Sequence, residues 1–113
     1  MTNNHIDYIE FGAADLEAVK TFYNRCFGWH FTDYGPDYAS FDQSGVAGGF
    51  HRTDQPASQG VLVVLYHDDL EAVQAAIEAS GGRITAPIFS FPGGRRFHFE
   101  DPAGNQLAVW SDT

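Results

Sequence analysis

The chain is poor in positive charge, in cysteine and in long apolar runs, and each shortage removes a class of protein. Six Lys and Arg stand against fifteen Asp and Glu, a formal net charge of −9. Such a chain repels phosphate backbones, so nucleic acid is not an expected partner. It attracts cationic ligands instead, and the same excess also serves solubility. The single Cys26 cannot close an internal disulfide. The longest apolar run, Val61-Leu62-Val63-Val64-Leu65, falls far short of the ~20 residues of a membrane span. The first residues, Met1-Thr2-Asn3-Asn4-His5, carry neither the basic nor the apolar segment of a signal peptide. These shortages lead to the expectation of a cytoplasmic protein that works without a membrane.

What the chain does have is aromatic residues and an internal repeat. Of 113 residues, 43% are hydrophobic and 15% aromatic, which excludes intrinsic disorder. That length suits one domain, spanning 1–113. Within it, Asp15-Leu16-Glu17-Ala18-Val19 returns as Asp69-Leu70-Glu71-Ala72-Val73. A strand-like run precedes each copy, Ile6 to Phe11 and Val61 to Tyr66, and a helix-like stretch follows. Each Asp reads as an N-cap. Leu16, Val19, Phe22 and Tyr23 form one apolar helix face, closed by Gly28. Leu70, Val73, Ala76 and Ile77 repeat that spacing, closed by Gly81-Gly82. Phe11, Phe22 and Phe27 are assigned to the core between helix and sheet, and Cys26 to buried packing.

Three short strand-like runs follow each helix. In the first half they are Trp29–Tyr34, Tyr38–Phe41 and Val46–Phe50; in the second, Arg83–Thr85, Arg96–Glu100 and Gln106–Trp110. Asp101-Pro102-Ala103-Gly104-Asn105 is a strong turn signal. The polar stretch His51 to Gly60 reads as the linker, and Gly93-Gly94-Arg95-Arg96 as a mobile hairpin loop. Each half is thus βαβββ, with modules at about 4–51 and 60–111. The expected fold class is α+β: two βαβββ repeats forming a cup-shaped, eight-stranded mixed sheet whose inner face lines a cavity.

The repeat, with Phe22-Tyr23 inside the first helix, Phe27-Gly28-Trp29 after it and Phe99-Glu100-Asp101-Pro102-Ala103-Gly104-Asn105 before the last strand, resembles the vicinal oxygen chelate superfamily. That group includes glyoxalase I, bleomycin-resistance proteins, extradiol dioxygenases and fosfomycin-resistance enzymes. The resemblance covers nearly the whole chain and is specific for fold rather than chemistry. It implies a divalent metal held by His and Glu from the first and last strand of each half. Carried over residue by residue, the four ligand positions fall on Tyr8, Gly49, Leu62 and Ala108. Apart from the rare Tyr, none is a metal ligand. The expectation is no metal and no cofactor.

Strand parity gives the candidate site. Tyr8 and Glu10 share one face of the first strand. Tyr66 takes the matching face of the fifth strand, beside Leu62 and Val64, and Trp110 that of the last, beside Ala108. His98 alternates with Phe97 and Phe99. The expectation is that Tyr8, Glu10, Tyr66, His98 and Trp110 point into one concave space, whose mix of aromatics with a carboxylate suits a ligand. Glu10 has two readings, a solvated edge carboxylate or one at a cavity floor. His51 is placed near the rim. Arg95 and Arg96, the densest positive charge, leave a carboxylate ligand open.

Three functions are compatible with this pattern. The first is a small-molecule binding protein of the bleomycin-resistance type, sequestering a cationic or aromatic ligand without metal and pairing as a homodimer. The second is a metal-independent or unusual-metal lyase or isomerase related to glyoxalase I, with Glu10 as the catalytic base. The third is a partner-binding module with an occluded cup.

Overall fold

A computed structural model describes residues 1–55 and 60–113. The chain divides into two compact units, Tyr8–Leu62 and Met1–Asp7 with Val63–Thr113. The first holds most of β1 (Ile6–Ala13), then α1 (Leu16–Phe27), β2 (His30–Asp33), β3 (Tyr38–Asp42) and β4 (Gly48–Arg52). Its strands lie in the order β2-β3-β4-β1, with β1 and β4 parallel and the other pairs antiparallel. The second holds β5 (Leu62–Tyr66), α2 (Leu70–Ala79), β6 (Arg83–Phe91), β7 (Gly94–Glu100) and β8 (Gln106–Ser111). Its order is β5-β8-β7-β6, with β5 and β8 parallel. Each unit is therefore built from a βαβββ repeat. With eight strands of mixed sheet and two helices, the fold class is α+β, as the sequence pattern indicates.

The repeated Asp starts each helix by the same device. Asp15 Oδ1 accepts the Ala18 amide hydrogen at 3.1 Å, and Asp69 Oδ1 that of Ala72 at 3.1 Å. Gly28 ends α1 at φ 74°, a left-handed conformation in which any Cβ is strained. Under α1, Ala13, Phe41 and Phe50 are buried with Phe11, Leu16, Val19, Tyr23, Trp29 and Phe31 around them. Under α2, Leu70, Phe97 and Val109 are buried with Leu65, Val73, Ile77 and Phe99 among their neighbours. Phe11, expected in the core, is packed there, and Leu65 and Val109 take the helix-facing positions of β5 and β8.

Several local expectations are corrected. Phe22 and Phe27 are not core residues; they are 54% and 63% exposed. Leu16, Val19 and Tyr23 occupy the inward positions of α1, and Phe22, one residue before Tyr23, is rotated by about 100°. Cys26 is exposed in the last turn, past Tyr23, where the core beneath α1 ends. The linker begins later than expected, because His51 and Arg52 extend β4 by pairing with β1 and β3. Its residues 56–59 lie outside the described residues.

The hairpin loop expected over Gly93-Gly94-Arg95-Arg96 is shorter than that, a tight turn between β6 and β7. β6 runs to Phe91, β7 starts at Gly94, and Arg95 and Arg96 are strand residues. Arg95 bonds Glu71 at 2.7 Å and the Thr113 carbonyl at 2.9 Å. Arg96 lies over the Phe89 and Phe91 rings, 5.6 and 5.8 Å from their centroids.

Candidate functional site

The sheet face of the first unit that turns away from α1 is polar. Alternation puts Phe11 and Ala13 under the helix and leaves Tyr8, Glu10 and Gly12 on the other side of β1. The parallel register sets Glu10 opposite Gly49 and Gly12 opposite His51 on β4. The antiparallel register then sets Tyr38 opposite His51 and Ser40 opposite Gly49 on β3. Three neighbouring strands thereby bring Tyr8, Glu10, Tyr38, Gly49 and His51 to one patch.

Their side chains form a directed network. Tyr38 Oη donates to Glu10 Oε2 at 2.9 Å. The Tyr8 and Tyr38 hydroxyls lie 2.5 Å apart. A phenol has one proton, and that of Tyr38 is committed to the carboxylate, so Tyr8 is the donor to Tyr38. On the other side, His51 Nδ1 stands 3.9 Å from Glu10 Oε1, too far for a hydrogen bond. Glu10 is only 7% exposed, whereas Tyr8 and Tyr38 are half-buried and the His51 side chain is 36% exposed. The edge-carboxylate reading of Glu10 is therefore replaced by a buried carboxylate held by a phenol. Burial drives the Tyr38 phenol far above its ordinary value, helped by the Glu10 charge and the bond to Tyr8. Tyr38 is thus a fixed proton donor at any working pH.

Gly49 completes the patch by having no side chain. A Cβ built there would collide with the hydroxyls of both Tyr38 and Tyr8. The two phenols occupy the space in which a side chain at this position would stand.

The predicted site residues fall into two groups, one in each unit. Tyr8 and Glu10 belong to the network just described. Tyr66 and Trp110 face each other across the β5–β8 pair, with ring centroids 5.4 Å apart in an edge-on arrangement. Trp110 Nε1 donates to Asp7 at 2.9 Å, and Tyr66 Oη to Asp112 at 2.8 Å. That bond, first, raises the Tyr66 phenol above its ordinary value. His98 shares its β7 face with Arg96 and lies 5.7 Å from the Phe89 ring. The sequence reading missed Tyr38 and set His51 only at a rim. The available signal was the alternation of Tyr38 and Ser40 with Ala39 and Phe41; what it lacked was the β3–β4 register.

These observations can be set beside known proteins. The profile of the Glyoxalase/Bleomycin resistance protein/Dioxygenase superfamily matches residues 5–109, and the chain belongs to that family. An anthracycline biosynthesis protein of Streptomyces peucetius, DnrV, is 30% identical over 91% of this chain. The match covers 45% of that protein, so this chain spans less than half the length of that relative. The Mn(II)-bound glyoxalase of Novosphingobium aromaticivorans superposes with a TM-score of 0.72 at 25% identity, covering 97% of this chain and 39% of its own. A methylmalonyl-CoA epimerase of Streptomyces coelicolor covers 97% of this chain and 98% of its own, with a TM-score of 0.68 at 19% identity, and shares the fold.

The metal that the family implies does not fit the residues found at its ligand positions. The Tyr8 hydroxyl is bonded to Tyr38. The space over Gly49 is filled by the two phenols. Leu62 has no donor atom, and Ala108 is a fully buried methyl group. The described residues contain no cluster of three or more His, Cys, Asp or Glu able to hold a metal ion.

Proposed function

We propose that this protein binds a small molecule through the polar sheet face around Glu10 and does so without a metal. The observation that carries this reading is the chain of hydrogen bonds from Tyr8 through Tyr38 to the buried Glu10 carboxylate. A buried carboxylate is costly unless it is held, and here Tyr38, itself bonded to Tyr8, holds it. That arrangement suits a ligand bearing a cationic or hydrogen-bond-donating group, in keeping with the net charge of −9. We take the active form to be a homodimer. The exposed Phe22 and Phe27 support this.

The same network favours a second reading in which Glu10 is a base in a lyase or isomerase reaction. A carboxylate linked to two phenols can receive a proton and relay it. Whether a ligand is merely held or turned over is decided by product analysis on any ligand found.

The test is a thermal-shift screen of chelator-treated protein against cationic and neutral aromatic amines and amides, with hits remeasured on Glu10→Gln. Cationic ligands should lose about 1.5–3 kcal/mol, the scale of a charge-assisted hydrogen bond, and neutral ones less. Equal losses for both classes would contradict the assignment.

A further inference from the structure

The two repeats differ along one side of their helices. Ala76 stands seven residues after the capping Asp69, where Phe22 stands seven after Asp15. In α1 that place holds a ring, set edge-on to Tyr23 with centroids 5.0 Å apart. In α2 it holds a methyl group, beside a groove of about 410 Å³. Val73, Ala76 and Ile77 give the groove an apolar lining, and the segments before α2 add His67 and Asn4. Val73 and Ile77 also pack against the buried core beneath the helix, which fixes them in place. The volume falls in the range of small-molecule sites, and the mix of apolar lining with few polar groups suits one.

His67 brings a directed polar group to this surface. Its Nδ1 accepts the Asp69 amide hydrogen at 2.9 Å, and a backbone amide can only donate. The Asp68 carboxylate is farther from the same nitrogen, at 3.5 Å, and accepts a hydrogen from Asn3 at 3.1 Å. The shorter bond decides, so the neutral imidazole carries its proton on Nε2. Nε2 has no hydrogen-bond partner among the described residues, and only 19% of the side chain is exposed. With Nδ1 committed to the backbone, Nε2 is the ring nitrogen left for a ligand.

We propose that this groove is a second ligand site, independent of the Glu10 network, which takes a neutral molecule with a compact apolar body and a carbonyl oxygen. The body lies on Val73 and Ile77, and the oxygen accepts the His67 Nε2 hydrogen. Charge sets the class. Asp68 and Asp69 follow His67 directly and Glu71 comes just before Ala72, so an anion is repelled. An ammonium group would bring a donor to a donor. A neutral acceptor meets neither obstacle.

The probes are cyclohexanone, cyclohexanecarboxylate and cyclohexylammonium, which share a ring and differ in the head group. Each is titrated into wild type, His67→Asn and Ala76→Leu, and backbone amide shifts are followed by NMR. His67→Asn keeps an acceptor for the Asp69 amide and places no donor where Nε2 stands. Ala76→Leu fills the groove from an exposed position of α2. Cyclohexanone should shift the amides of Ala72, Ala76 and Ser80 and bind wild type about tenfold more tightly than either charged probe. His67→Asn should weaken it about fivefold, the worth of one hydrogen bond, and Ala76→Leu should abolish the shifts. Without any probe, nitrogen-15 shifts of the neutral His67 ring should place the proton on Nε2. A proton on Nδ1, equal binding of the three probes, or an affinity that His67→Asn leaves unchanged would overturn the proposal. So would a wild type that binds none of them; binding regained in Phe22→Ala would then assign the groove to a second copy of the chain.

Discussion

At the scale of single residues, Gly49 is the position on which the site most depends. Its missing Cβ is space already used by two phenol hydroxyls that lie 2.5 Å apart. Gly49→Ala should therefore cost about 1–3 kcal/mol in urea unfolding, the range for overpacking. The cost should shrink when the same change is made in a Tyr8→Phe/Tyr38→Phe background, since two of the three nearest atoms are then gone. An unchanged cost would mean that the strain lies elsewhere. Glu10 shows the limit of reading such residues from sequence. Parity puts it beside Tyr8, but parity is equally satisfied by an edge strand in water. What buries it is β4 pairing parallel to β1 with two strands beyond, and that is a long-range fact.

At the scale of elements, the two capping aspartates are the clearest case of a short sequence specifying structure. Each accepts one amide hydrogen of its helix, three residues on, in the same geometry. Asp15→Ala and Asp69→Ala should each lower stability by about 1 kcal/mol, read as a shift in the unfolding midpoint. A loss in one but not the other would break the equivalence of the repeats. The helices were legible because caps, apolar spacing and Gly28 are local signals. The strands were legible in number and less so in extent. β6 was expected only as Arg83–Thr85 and runs to Phe91, because its later residues pair with β7 through two register shifts that no local pattern announces. The β3–β4 register stayed hidden for the same reason, and Tyr38 with it. Phe22 misled because an apolar residue beside the true inward position fits a helical stripe almost as well.

At the scale of the whole molecule, membership of the superfamily follows from a match over residues 5–109, while the chemistry follows from the side chains this chain places on that fold. The repeat made the fold legible from sequence; for the site, the sequence showed only which residues, Tyr8, Gly49, Leu62 and Ala108, stand where the family's metal ligands would. For assembly, light scattering should give twice the 12.4 kDa of the chain, and a monomer at micromolar concentration would contradict the homodimer. The central claim is that a ligand is held by the hydroxyl–carboxylate face and not by a metal. Its most direct test is calorimetric titration of chelator-treated protein with the tightest cationic ligand from the screen, repeated after adding Mn²⁺. The account predicts binding of unchanged affinity in both titrations, weakened by about 1.5–3 kcal/mol in Glu10→Gln. Binding that appears only with the metal, or that Glu10→Gln leaves intact, would contradict it.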